Sequence, residues 1–413
     1  MNDPLQMGLI ASRPQVAASQ QAQVIYMLVT VGPAERAVQV RPTLNLSLVI
    51  DRSTSMHGER LNRVKMATSL LLEKLAPEDV VSVISFSDRA EVLVPARRAA
   101  NRTNIVSQVN QMVASGGTEI FQGLTAGVRE LRKLASDTYV NHLILLTDGH
   151  TYGDAEDCLE LARLTSEQGL GFSAFGIGTE WNDVFLDALV APSGGRTAYI
   201  SSPQHILRQL QARIQGLGEV YAHNVRLRID LPDGVALREG FKVSPYAQPV
   251  PVRMGEIALG AIEGKAPLIC LLEINVQPQP AGGNLYFPVQ LLANMPNRAE
   301  KSVSLLEDLT IPVVARTGNY TPSRRIVEAV RALNFYRMNE DAINAVANGE
   351  VGLATERMRH LTQRLRDAGH TTLADHAEKE THRIAQQGRM SPGGQKELRY
   401  GTRALASRDI AKR

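Results

Sequence analysis

The chain has 413 residues, 44% hydrophobic and 21% charged, with a formal net charge of +3 at neutral pH. That length exceeds one ordinary core and calls for two or three domains, in the composition of a folded globular protein. The near-balanced charge argues against a nucleic-acid or membrane-surface binder, and no run approaches the roughly 18 apolar residues of a membrane span. The first residues, "MNDPLQMGLI", have no basic run leading into an apolar one, so no secretion signal is expected. The two cysteines, Cys158 and Cys270, are far apart in apolar surroundings and read as reduced core thiols of a cytoplasmic protein.

In chain order, residues 1–42 are strand-like, with "VIYMLVTVG" (24–32) the clearest run, and contain no helical period. Residues 43–215 alternate apolar runs with amphipathic segments, the pattern of a doubly wound α/β domain on a parallel sheet. Its expected strands are 44–50, 80–86, 142–147, 171–178 and 197–200, with 91–95 as an edge strand. One helix carries Leu61, Val64, Ala67, Leu71 and Leu75 on one stripe, and another carries Phe121, Leu124, Val128, Leu131 and Leu134. Met66 and Met112 are assigned to the core with these stripes.

Over residues 220–316 the period changes to two and Pro, Gly and Asn punctuate the runs, so an all-β sandwich is expected. The N-terminal strands are predicted to join it, making the α/β domain an insertion. Residues 322–390 return to helices, with a hint of a tetratricopeptide-like hairpin in the spacing of Gly349 and Gly369. Residues 391–413 form a basic tail, which reads as solvated and flexible. A sharper reading makes Thr402, between Arg399 and Arg403, a phospho-acceptor for a phosphothreonine-reading partner of the forkhead-associated (FHA) kind.

Three polar stretches interrupt the α/β domain. "DRSTS" puts Asp51, Ser53 and Ser55 at alternate positions where the first strand ends; "SGGTEI" presents Thr118 after two glycines; "LLTDGHT" ends a strand at Asp148. Ligands of open α/β sheets gather outside the carboxyl ends of the strands where strand order reverses, so the three loops can converge there. Two carboxylates and three hydroxyls are hard oxygen donors, suited to Mg²⁺, or alternatively Mn²⁺ or Ca²⁺. Hydroxyls coordinate without neutralising, which leaves such a cation electron-poor towards an outside anion. Glu119, His57 and His150 stand nearby and are read as spectators. Trp181, the only tryptophan, is read as a core or domain-junction residue.

D-x-S-x-S, then G-G-T, then T-D-G, in this order, resembles a von Willebrand factor type A (VWA) domain with its metal-ion-dependent adhesion site (MIDAS). The resemblance implies a Rossmann-like fold, direct coordination by Ser53, Ser55 and Thr118, and action through water by Asp51 and Asp148. The plan of A domain, framing β-sandwich and helical tail is similar to bacterial cytosolic members, and its first two parts to inter-alpha-trypsin-inhibitor heavy chains. The function it implies is a non-enzymatic scaffold whose cation takes a Glu or Asp carboxylate from a protein partner. The alternatives are an adaptor for a separate AAA-type ATPase, since the chain has no Walker motif, and a metal-assisted phosphatase or hydrolase, for which no base or nucleophile motif is evident.

Overall fold

The computed structural model describes residues 4–34, 40–100, 102–151, 153–253, 255–296 and 301–411, with the backbone alone from 406. Residues 1–3 and 35–39 of the N-terminal segment and 412–413 of the tail lie outside the described residues. The chain opens with β1 (Leu5–Ala11), β2 (Val16–Ala17) and β3 (Gln23–Pro33). The α/β portion then runs β4 (Thr43–Asp51), α1 (Glu59–Lys74), β5 (Val80–Phe86), β6 (Ala90–Arg98), α2 (Arg102–Asn110) and α3 (Ile120–Lys133). It continues with β7 (Tyr139–Thr147), α4 (Ala155–Glu167), β8 (Gly171–Ile177), α5 (Asp183–Val190), β9 (Arg196–Ile200) and α6 (Ile206–Gly218).

These strands form one sheet in the order β6-β5-β4-β7-β8-β9, parallel except for the antiparallel edge β6. The chain steps from β4 to β5 on one side and later to β7 on the other, so strand order reverses between β4 and β7. Both faces are covered, which is why β4 reads as a nearly unbroken apolar run. Helices α1 and α6 bury Leu61, Val64, Leu71, Leu210 and Ile214 against one face; α3, α4 and α5 bury Leu124, Cys158 and Phe185 against the other.

Helix α3 lies unusually close to the sheet. A Cβ on Gly127 would stand 2.6 Å from Val49 Cγ2, and one on Gly123 2.7 Å from Phe86 Cδ1. In an exposed helix, Gly→Ala gains about 1 kcal/mol of propensity. Here overpacking costs about 1–3 kcal/mol and outweighs it. Gly127→Ala therefore lowers the thermal unfolding temperature, whereas Gly352→Ala, with nothing within 4 Å, does not.

After α6 come β10 (Val220–Ile229), β11 (Val235–Ser244), β12 (Gln248–Val250), β13 (Val252–Arg253), β14 (Glu256–Glu263), β15 (Leu268–Val276), β16 (Asn284–Asn294) and β17 (Ser302–Val314). They build two sheets, β1-β3-β15-β11-β12 and β13-β14-β10-β16-β17-β2, which share a core of residues such as Met27, Val29, Leu227, Leu272 and Phe287. Strand β3 pairs along its length with β15, so the α/β domain is inserted in the sandwich. Helices α7 (Arg324–Ala347), α8 (Val351–Asp367), α9 (Thr371–Gln387) and α10 (Pro392–Ala411) follow. Helix α7 lays Ile326, Ala329 and Leu333 on the outer face of the first sheet. No helix of the described residues is long and apolar enough to cross a membrane.

Four expectations need correction. Met66 is 51% exposed, because it sits two residues after Val64 and so on the opposite face of α1. Leu134 is 42% exposed, since α3 ends one residue before it. The last four helices do not form an open tetratricopeptide-like array: α10 packs on both α7 and α9 and closes the group. Finally, the tail is helix α10, with Leu398, Thr402 and Leu405 buried at helical spacing. The Thr402 hydroxyl donates to the Leu398 carbonyl at 2.8 Å and is fully buried, so a phosphate there has no room in this fold. The FHA-like partner is withdrawn for that reason.

Candidate metal centre

The ends of β4 and β7 lie side by side, with Ile50 registered against Leu146, so Asp51 and Asp148 leave the sheet at its reversal point. Both are buried, at 0% and 1% exposure. Asp51 accepts the Ser53 backbone N–H at 2.8 Å through Oδ1 and the Thr147 hydroxyl at 2.6 Å through Oδ2. Ser53 Oγ stands 3.0 Å from Ser55 Oγ, which donates to Asp148 Oδ1 at 2.7 Å. Burial, opposed by the bonds from Thr147 and Ser53, pushes the Asp51 carboxyl up to about 6.

The second loop is stitched to the first. Thr54 donates its N–H and its hydroxyl to the Gly116 carbonyl, both at 3.0 Å, and Ser115 N–H donates to Arg52 O at 2.8 Å. Gly116 has φ +77°, and a Cβ there would lie 2.3 Å from Asp88 Oδ2, so only glycine fits. Asp88 in turn accepts the Gly117 N–H at 2.7 Å. Thr118, 6% exposed, then points beside Asp148: its Oγ1 is 3.2 Å from where a Gly149 Cβ would stand. Its hydroxyl has no hydrogen-bond partner among the described residues.

All five residues singled out in the sequence therefore gather at one place, Asp51, Ser53, Ser55 and Asp148 in a bonded chain and Thr118 beside it. His57, His150 and Ser55 are on the solvent side. Three contributors were not anticipated. Thr147, which belongs to the T-D-G motif but was given no role of its own, orients Asp51. Asp88 fixes the Gly117 turn. Arg60, in the first turn of α1, pairs through Nη1 with Asp148 Oδ2 and donates to Ser55 O at 3.3 Å. Nothing in the spacing around Arg60 marks it out; only its place after Gly58 puts it over the centre.

The donor set fits a hard divalent cation. Bonds of 2.0–2.1 Å at right angles put adjacent oxygens of an octahedral Mg²⁺ about 3 Å apart. The Ser53–Ser55 and Ser55–Asp148 separations, 3.0 and 2.7 Å, are of that size. Among the described residues no three His, Cys, Asp or Glu side chains cluster, and the oxygens gathered here come from three hydroxyls and two carboxylates.

Comparison with known proteins agrees with this architecture. The family description of the von Willebrand factor type A domain matches residues 45–213, and that of the Sll0103-like, C-terminal alpha-helical domain matches residues 324–408. The Synechocystis protein sll0103 is 31% identical over 323 residues, 75% of this chain and 76% of that one. Inter alpha-trypsin inhibitor heavy chain 4 of Mus musculus is 29% identical over 183 residues, 41% of this chain and only 19% of that protein. Among solved structures, a von Willebrand factor type A protein from Catenulispora acidiphila superposes with a TM-score of 0.78 at 18% identity, covering 96% of each chain. The ArnB paralog VWA2 from Sulfolobus acidocaldarius gives 0.59 at 16% identity, over 98% of this chain and 99% of that one. The chain belongs to the von Willebrand factor type A domain proteins that carry an Sll0103-like C-terminal helical domain.

Proposed function

We propose that this chain is a non-enzymatic, metal-dependent protein-interaction scaffold. Its A domain, residues 43–215, holds Mg²⁺, with Mn²⁺ or Ca²⁺ as alternatives, through Asp51, Ser53, Ser55, Thr118 and Asp148. A protein partner supplies a Glu or Asp carboxylate to the cation's open side. The observation that carries this reading is the oxygen-only cluster at the reversal point of the sheet, in which hydroxyls outnumber carboxylates. One of its two carboxylates already faces the Arg60 guanidinium. The protein thus adds little negative charge to a divalent ion, and the surplus positive field favours an acidic ligand. Ser53 and Ser55 bond to each other, and Ser55 to an Asp148 carboxylate whose other oxygen pairs with the Arg60 guanidinium, which weakens it as a base and suits binding rather than nucleophilic chemistry.

The test is an affinity capture with the full chain, run in Mg²⁺ and in EDTA, beside Thr118→Ala. A partner retained by the wild type in Mg²⁺, and lost both in EDTA and in the variant, is the expected result. The same partners in all three samples would rule out a metal-dependent contact.

A further inference from the structure

Arg60 also lies beside the turn at Gly178. Its Nη2 lies 3.1 Å from where a Cβ of Gly178 would stand, at the end of β8. The Gly178 carbonyl accepts the indole N–H of Trp181 at 2.8 Å, and the Gly178 N–H donates to Ile200 O at 2.9 Å, so this turn is held at both ends. Trp181 is 1% exposed and is covered by α10: its ring centroid is 5.9 Å from that of Tyr400, and Lys396 Nζ lies 4.8 Å over it. Two residues on, α5 begins, and α10 grips it by buried ion pairs. Arg399 pairs with Asp183 and, at 2.6 Å, with Glu340 of α7; Arg403 pairs with Asp187 at 2.6 Å. A line of neighbouring groups therefore runs from Asp148 through Arg60, beside Gly178, to Trp181 and the C-terminal helices.

We propose that Arg60 is a positioning residue that couples cation binding at the candidate centre to the docking of α10. The inference rests on the metal-binding reading above. With no divalent cation present, the guanidinium supplies the positive charge that Asp148 lacks. A divalent cation at the same oxygens competes for Asp148 and repels the guanidinium, so the two arrangements differ in free energy, as coupling requires. The displaced Arg60, whose side chain is 34% exposed, gives up its place beside the Gly178 turn, and that turn holds the Trp181 indole through its carbonyl. By reciprocity, whatever loosens α10 changes the cation affinity by the same factor.

Trp181 is the only tryptophan in the chain, so its emission reports this junction alone. The experiment measures Mn²⁺ binding to the full chain by EPR, Mg²⁺ affinity by competition, and Trp181 emission during the Mg²⁺ titration. A change in emission with the same midpoint as Mg²⁺ binding is expected. Arg60→Gln binds Mg²⁺ about fivefold or more tightly, because a competing cation is gone, and its emission no longer responds. Arg60→Lys, which keeps the charge, restores part of the response. Cation binding with no change in emission, or an equal response in Arg60→Gln, overturns the coupling and leaves the metal site standing. No cation binding at all overturns the site, and the coupling with it.

Discussion

Asp51→Ala lowers the affinity of the chain for Mn²⁺ by about 100-fold. The magnitude follows from how little charge the centre holds. Before a cation enters, Asp51 and Asp148 contribute two negative charges and Arg60 one positive, so the centre offers an incoming cation a single net negative charge. Removing Asp51 leaves none. It also frees Thr147, whose hydroxyl is held by Asp51, and the turn at Ser53, whose N–H bonds the same carboxylate. The hydroxyl ligands then lose both their counter-charge and their orientation. EPR titration with Mn²⁺ gives the affinity, and thermal unfolding separates lost binding from lost fold. A cation at 100 times its dissociation constant stabilises the wild type by about 2.7 kcal/mol. Mg²⁺ at that level should therefore raise its melting temperature clearly and that of Asp51→Ala far less, because a site 100-fold weaker yields only about 0.4 kcal/mol, while both EDTA-treated proteins still melt cooperatively. His150→Ala, an exposed neighbour, keeps wild-type affinity. An Asp51→Ala protein that binds Mn²⁺ as the wild type does would dismiss the centre.

Much of this arrangement was legible because the relevant signals are local. A strand covered on both faces is apolar throughout, so a carboxylate and alternate hydroxyls at its end stand out, as at Asp51, Ser53 and Ser55. The change of period at Val220 marks the sandwich for the same reason: a half-buried strand must alternate. What escaped was set by contacts between distant residues. Arg60 and Asp148 are 88 positions apart, and Arg399 and Asp183 are 216. No window of sequence shows that an arginine will meet its carboxylate across such a span. The tail failed on this point. Its basic residues count as solvating charge until Asp183, Asp187 and Glu340 are known to face Arg399 and Arg403, after which burying them is natural. Helix α10 then stops being an appendage and becomes the cover of Trp181.

The second large effect concerns how the inserted domain is fastened to the sandwich. Lys242 of β11 is fully buried and donates to two carbonyls, Gly194 O of the inserted domain at 2.7 Å and Leu259 O of β14 at 3.1 Å. Its Nζ also lies 4.2 Å over the Tyr246 ring. Burial pushes the amine down from 10.5 to about 7; Glu263 and Cys270 oppose this, and Arg213 and Arg196 add to it. The sign follows from proton counting. Between pH 7 and 10.5 the unfolded chain holds the Lys242 proton and the folded chain has released it, so stability rises with pH across that window. Below pH 7 both states are protonated and the whole cost of burying the charge is present. Lys242→Met abolishes this dependence while removing the two bonds. The wild type should therefore gain about 3 kcal/mol over the variant between pH 7 and 9.5, read as the difference of their unfolding free energies. Tyr246 and Cys270, each pushed up to about 12 by burial, destabilise the fold as pH rises. Both proteins carry them, so they largely cancel in the difference. A difference that stays flat from pH 7 to 9.5 would mean that the amine remains charged between its two carbonyls, and the seam would then be a buried cation held by backbone oxygens and the Tyr246 ring alone.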